Sequence, residues 1–185
     1  MKEIIFHGRG GQGAVAGADI LADAAMRDGK HSQSFPTFGP ERRGAPVMAF
    51  TRIDDKPIRV RCQIYEPDYD IVLDATISKS QNLTIGLKAD GSVIINTPLT
   101  AEQVMEQKIV TKGKIYPIDA SSIAARVIGS PILNTVILGA FSAATGEVKL
   151  KSLSEAVEGR FPKPIAEKNV QAMEEAYNIV KSRRS

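Results

Sequence analysis

Two rhythms of apolar residues run along the chain. KEIIFH (residues 2–7) reads as a short buried strand, and residues 14–29 read as a helix rich in small residues that Gly29 closes. Ala14, Ala18, Ala22 and Ala25 recur there at helical spacing, so one helix face is expected to lie close against a sheet. KHSQSF (30–35) reads as the next strand. FPTFGPERRGAP (35–46) then holds three prolines and two glycines, which excludes regular helix or central strand and predicts a long, stiffened loop. VMAFTRI (47–53) and IRVR (58–61), joined by DDKP, read as two strands of a hairpin that makes the sheet mixed.

Alternation continues beyond residue 65. IVLDAT (71–76) predicts a central strand, ADG (89–91) a tight turn and SVIINT (92–97) a further strand. Thr100 with Gln103 forms a capping box before AEQVMEQ, KIYPID (114–119) is a strand, and Asp119 is placed to cap a helix over 120–129. ILNTVILGAFSAATG (132–146) is apolar on all sides, so the helix it predicts is buried, with Gly146 at its end. Ser152 with Glu155 predicts a cap for LSEAVEGRF, and Pro164 starts an amphipathic helix reaching residue 182. Strands alternating with helices argue an α/β fold with a mainly parallel, mixed sheet. No repeat or linker interrupts it, so residues 1–185 read as one domain.

Composition narrows the function classes. With 43% apolar and 24% charged residues, 185 residues suffice for one sizeable core. The 24 basic and 21 acidic residues are interspersed and the net charge is only +3, which disfavours a dedicated polyanion binder. Aromatics make up 5%, tryptophan is missing, and no aromatic-rich RNA-reading strand appears, so no nucleic-acid partner is expected. A single cysteine, Cys62, excludes an internal disulfide framework, an iron–sulfur cluster and a four-thiolate zinc site, and fits a reducing cytoplasm. The first apolar run is too short for a signal peptide, and no segment approaches the ~20 apolar residues of a membrane span.

The candidate chemistry starts at HGRGGQG (7–13). Gly8, Gly10 and Gly13 satisfy the G-x-G-x-x-G spacing of a dinucleotide loop. Such a loop needs an acid at the end of the second strand, about 20 residues on, for the ribose hydroxyls. KHSQSFP has none. Three readings stay open: nicotinamide dinucleotide binding, contact of the backbone N–H groups with another anion or cofactor, and a purely structural turn. Arg42, Arg43, Arg52, Lys56, Arg59 and Arg61 form a basic set, either a solvated hairpin face or an anchor for an acidic partner or a phosphate-bearing cofactor. Arg59 and Arg61, two apart on a strand, are expected to point to one side. Glu41 and Arg42 sit in a proline-stiffened loop of the kind an interface uses. His7 and His31 lack metal-ligand spacing, Cys62 has no assignable histidine partner, and Asp74 ends a predicted central strand, where α/β folds often place an acid. No catalytic residue or metal site is assigned.

GRGGQG, FPTFGPERRGAPV, TRIDDKPI, PILNTVILGAFSAATG and KNVQAMEEAY, in that order, resemble the gamma subunit of 2-oxoacid:ferredoxin oxidoreductases, in particular pyruvate synthase. The resemblance covers nearly the whole chain. It implies a three-layer α/β/α unit, a Rossmann-like variant corresponding to domain III of single-chain relatives. It implies a cytoplasmic, anaerobic complex that oxidatively decarboxylates a 2-oxoacid with coenzyme A and passes two electrons to ferredoxin. Thiamine diphosphate, Mg2+ and [4Fe-4S] clusters are then expected in the alpha, beta and delta partner subunits, and this chain's role is mostly architectural. The resemblance places Gly8, Arg9, Gly10, Gly11, Gln12 and Gly13 toward coenzyme A or another anion, and Pro40, Glu41, Arg42, Arg43 and Gly44 toward partner subunits. Related branches use 2-oxoisovalerate, 2-oxoglutarate or indolepyruvate. Relatives commonly carry two glycines after the arginine of the second loop, where this chain has Gly44 and Ala45. A positive φ at residue 45 would be strained in alanine.

Overall fold

The computed structural model of the chain describes residues 1–37 and 44–183. Lys2–Arg9 (β1) runs through the middle of a six-stranded sheet, with Pro46–Asp54 (β3) antiparallel on one side and Tyr69–Val72 (β4) parallel on the other. His31–Pro36 (β2) forms one edge, antiparallel to β3, while Ser92–Asn96 (β5) and Lys114–Ile118 (β6) extend the parallel half, giving the order β2-β3-β1-β4-β5-β6. The mixed sheet of the α/β expectation is present, but a different hairpin makes it mixed. β3 uses both its edges, one for β2 and one for β1, so IRVR finds no edge to join. Residues 57–61 are irregular, and the expected hairpin over 47–61 and the shared strand face of Arg59 and Arg61 are not formed.

Side chains alternate across β1 as strand geometry dictates. Ile4 and Phe6 enter the larger core, while Ile5 joins Phe50 and Ile64 on the opposite face. Over the larger core lie Ala14–Arg27 (α1), Asn134–Thr145 (α4), Leu150–Arg160 (α5) and Lys163–Ser182 (α6), with Ala14, Ala18 and Ala25 of α1 turned into it. Methyl-sized side chains let the α1 backbone approach the sheet closely enough for Thr51 Oγ1 to donate to the Ala18 carbonyl at 3.0 Å. Every residue of α4 from Asn134 to Ala144 is buried, as its uniform apolarity requires. Its polar exceptions are satisfied: Thr135 Oγ1 donates to Asn169 Oδ1 of α6 at 2.7 Å.

The opposite layer is thinner. A 3-10 turn over Ala75–Lys79 and the short Ala101–Glu106 (α2) cover Val72, Val93 and Ile95. Thr100 and Gln103 form the reciprocal cap read from the sequence, and Asp119 caps Ala120–Ile123 (α3), which passes into a π turn over Ala124–Ile128. The Ser152 cap is a correction. Helix α5 starts at Leu150 rather than Leu153, and Asp28 at the end of α1 accepts from Lys149 N at 2.8 Å and from Ser152 Oγ at 2.6 Å. A carboxylate 121 residues away caps this helix.

Candidate functional site

The loops that leave β1 and β4 meet at the carboxyl ends of the parallel strands, the edge where α/β sheets hold ligands. Chain from β1 turns through Gly10–Gly13 into α1. Gly13 has φ 80°, in the left-handed region, and a Cβ there would lie 2.7 Å from Asn134 Nδ2, so both its conformation and its space call for glycine. Asn134 Nδ2 in turn donates to the Gly13 carbonyl at 3.3 Å. Among the described residues no side chain caps the start of α1, whose cap position is Gly13.

Asp74 holds this loop in place. Its Oδ2 accepts from Arg9 Nε at 3.0 Å and Gln12 Nε2 at 3.1 Å, and its Oδ1 accepts from Thr76 N at 2.9 Å and Thr76 Oγ1 at 2.6 Å. Burial pushes the Asp74 carboxyl up, but the hydrogen bonds from Thr76, Gln12 and Arg9 outweigh it and hold the group below its ordinary value. With both oxygens engaged by donors, Asp74 acts as a clamp between loops and is poorly placed to serve as a general acid. Gln12 completes the clamp by accepting from Arg9 N at 2.7 Å.

A second tie joins two stretches that lie far apart in sequence. Gly10 N donates to the Ala45 carbonyl at 3.0 Å, Gly44 N donates to the Gly10 carbonyl at 3.3 Å, and Arg9 Nη1 donates to the Gly44 carbonyl at 3.1 Å. Gly44 takes φ 82°, whereas Ala45 stays out of the left-handed region, so alanine at 45 carries no backbone strain. Pro40, Glu41, Arg42 and Arg43 lie outside the described residues.

The clamped loop lies between two open clefts. One, about 550 Å3, is lined by Arg9, Gly10, Gly11, Gly13, Asp19 and Arg160. The other, about 690 Å3, is lined by residues including Gln12, Leu73, Asp74, Lys79, Asn96 and Leu99. Arg160, which comes from the end of α5 and lies 3.6 Å from Asp19, carries no sequence signal for this place. The same is true of Asn134.

The remaining sequence candidates scatter. His7 is buried, with Nε2 2.9 Å from Asp70 Oδ1, and burial pushes the Asp70 carboxyl up against the opposing pull of that hydrogen bond. His7 Nδ1 and Asp70 Oδ2 have no hydrogen-bond partner among the described residues, and neither residue lines either cleft. His31 is exposed at the edge of the sheet, away from His7. The basic set also divides: Arg52 is wholly buried, bonds Glu3 Oε1 at 2.8 Å and donates to the Cys62 carbonyl at 2.7 Å, whereas Lys56, Arg59 and Arg61 are exposed. Cys62 is exposed.

The dinucleotide reading fails on topology. In that fold the second strand lies parallel beside the first and carries the ribose acid at its tip. Here β3 intervenes, β2 is antiparallel to it, and β2 ends in Phe35 and Pro36. Residues 3–179 match the pyruvate ferredoxin/flavodoxin oxidoreductases.

The chain belongs to that family.

Within it, pyruvate synthase subunit PorC of Methanocaldococcus jannaschii is 56% identical over 178 residues, covering 96% of each chain. The pyruvate/ketoisovalerate oxidoreductases common subunit gamma of Thermococcus kodakarensis is 55% identical over 178 residues, again 96% of each. The crystal structure of pyruvate oxidoreductase subunit PORC from Thermotoga maritima superposes with a TM-score of 0.85 at 37% identity, covering 96% of this chain and 95% of that one. A ferredoxin-coupled oxidoreductase needs iron–sulfur clusters, each held by about four cysteine thiolates. This chain has one cysteine, so its residues do not fit a cluster. Among the described residues, no group of three or more His, Cys, Asp and Glu is placed to hold a metal ion, and no helix is long and apolar enough to cross a membrane.

Proposed function

We propose that the chain is the gamma subunit of a cytoplasmic pyruvate synthase, assembled with alpha, beta and delta subunits in an anaerobic metabolism. The complex converts pyruvate and coenzyme A to acetyl-CoA and carbon dioxide and delivers the two electrons to ferredoxin. Thiamine diphosphate, Mg2+ and the clusters reside in the partners. This chain contributes architecture and one contact, in which the glycine loop receives an anionic part of coenzyme A.

One observation carries that contact: an uncapped helix start, clamped by Asp74, opens on a cleft that also presents Arg9 and Arg160. N–H groups at a helix start favour an anion; the Arg9 guanidinium is held by Asp74, so Arg160, 3.6 Å from Asp19, is the cation that can turn to a ligand. The shared gamma subunit named in the Thermococcus relative favours a second reading for the assembly, in which one gamma chain serves complexes for pyruvate and for a branched 2-oxoacid. Under either reading the choice of oxoacid lies with other subunits.

The test is anaerobic purification of the complex from its own cells, with subunit identification and a dye-reduction assay dependent on oxoacid and coenzyme A. Arg160→Gln is expected to raise the KM for coenzyme A about tenfold, within the range for a lost charged hydrogen bond, with kcat unchanged. An unchanged KM in an intact complex removes the contact from the proposal. A chain that purifies alone and inert removes the complex.

A further inference from the structure

Between β3 and β4 the chain crosses the sheet's thinner face as a strap without secondary structure, residues 55–68. It is nonetheless fixed at several points. Arg52 Nη2 holds the Cys62 carbonyl at 2.7 Å, Ile64 is buried against Ile5 and Phe50, Asp68 N donates to the Glu3 carbonyl at 2.8 Å, and Lys88 N donates to the Pro67 carbonyl at 3.0 Å. Gly86 packs so closely that a Cβ on it would overlap the Tyr65 carbonyl oxygen.

That close approach brings together two residues 20 apart in sequence. Tyr65 is 70% exposed and Ile85, next to Gly86, is 72% exposed. They are the most exposed large apolar side chains among the described residues. A single exposed apolar residue means nothing; here the two extremes are carried on stretches of backbone that approach each other at Gly86 and Tyr65. An aromatic side chain presented on fixed backbone binds with little loss of freedom, which is how interface hot spots are built. Alongside, the strap exposes Val60 and the cations Lys56, Arg59 and Arg61, none in a salt bridge with a described residue. The acids Asp55 and Glu66 flank that basic stretch.

We propose that this strap is a docking surface for a neighbouring subunit of the same oxidoreductase, with Tyr65 and Ile85 entering an apolar depression whose rim is acidic and faces Arg59 and Arg61. The inference rests on the chain being a subunit of such a complex. It adds a contact on the face opposite the main helical layer, separate from the glycine loop. The apolar pair supplies the holding energy, and the exposed cations set orientation and encounter rate.

The experiment uses the intact complex, captured through a tag on another subunit, and measures how much of this chain stays bound through salt washes. The doubly substituted Tyr65→Ser, Ile85→Ser chain is expected to be retained at least about tenfold less than wild type, as for loss of a hot spot. Arg59→Glu with Arg61→Glu is expected to weaken retention more at low salt than at high. A photo-crosslinking residue at position 65 reads the same contact without removing an apolar side chain, and is expected to yield an adduct with one subunit. Wild-type retention of the serine variant together with no adduct at 65 overturns the docking surface while leaving the complex standing. A wild-type chain that is never captured overturns the subunit reading and the docking surface with it.

Discussion

Asp74 shows how much one carboxylate decides. It accepts from Arg9, Gln12 and Thr76, and these hydrogen bonds are strongest when the carboxyl is ionised. Its folded-state value is depressed, so the stability it contributes is present above the unfolded value of about 3.9 and is lost as pH falls through the folded value. Asp74→Asn puts an amide in place of a charged acceptor and is expected to cost about 2 kcal/mol at pH 7. The difference from wild type should shrink steadily below about pH 4, read from urea midpoints across that range. Sequence marked Asp74 by its place at a strand end but gave no means to separate acid from clamp. That distinction depends on Arg9 and Gln12, more than 60 residues away. Arg52 misleads for a related reason: its neighbours in sequence are solvated cations, while its partner Glu3 sits across a strand pair.

Among the elements, those whose signals are local were legible. The Thr100 capping box, the Asp119 cap, the small-residue face of α1 and the all-apolar α4 depend on residues within a few positions of one another, and each formed as read. Elements settled by distant competition were not. IRVR has a strand's alternation, yet β2 and β1 already occupy both edges of its intended partner. Ser152 and Glu155 have a capping box's spacing, yet Asp28 reaches the helix start first and draws the Ser152 hydroxyl to itself. Removing that distant cap is expected to cost about 1 kcal/mol and to lower the melting temperature of a chain this size by about 2–4 °C for Asp28→Ala. Ser152→Ala added to Asp28→Ala should cost little more, because the two share one interaction.

At the scale of the whole molecule the two faces of the sheet do different work. One carries four long helices and most of the core; the other carries a 3-10 turn, a short helix and the strap, and the loops at the strand ends bridge them. Fold class could be read from alternation alone, but the order of the strands could not, because nothing local says that β3 inserts between β2 and β1. The same insertion brings Gly44 and Ala45 beside Gly10, which makes one site from two motifs. Helix α4, sealed on every side, makes the molecule its own reporter. Its amides have no local route to solvent, so their hydrogen exchange is expected to proceed only through global opening. Capture by a subunit or by coenzyme A on any outer surface then slows exchange at α4 by the factor 1 + [L]/Kd, although nothing touches that helix. Deuterium uptake over 134–144, followed as partners are added, thus measures assembly from the inside.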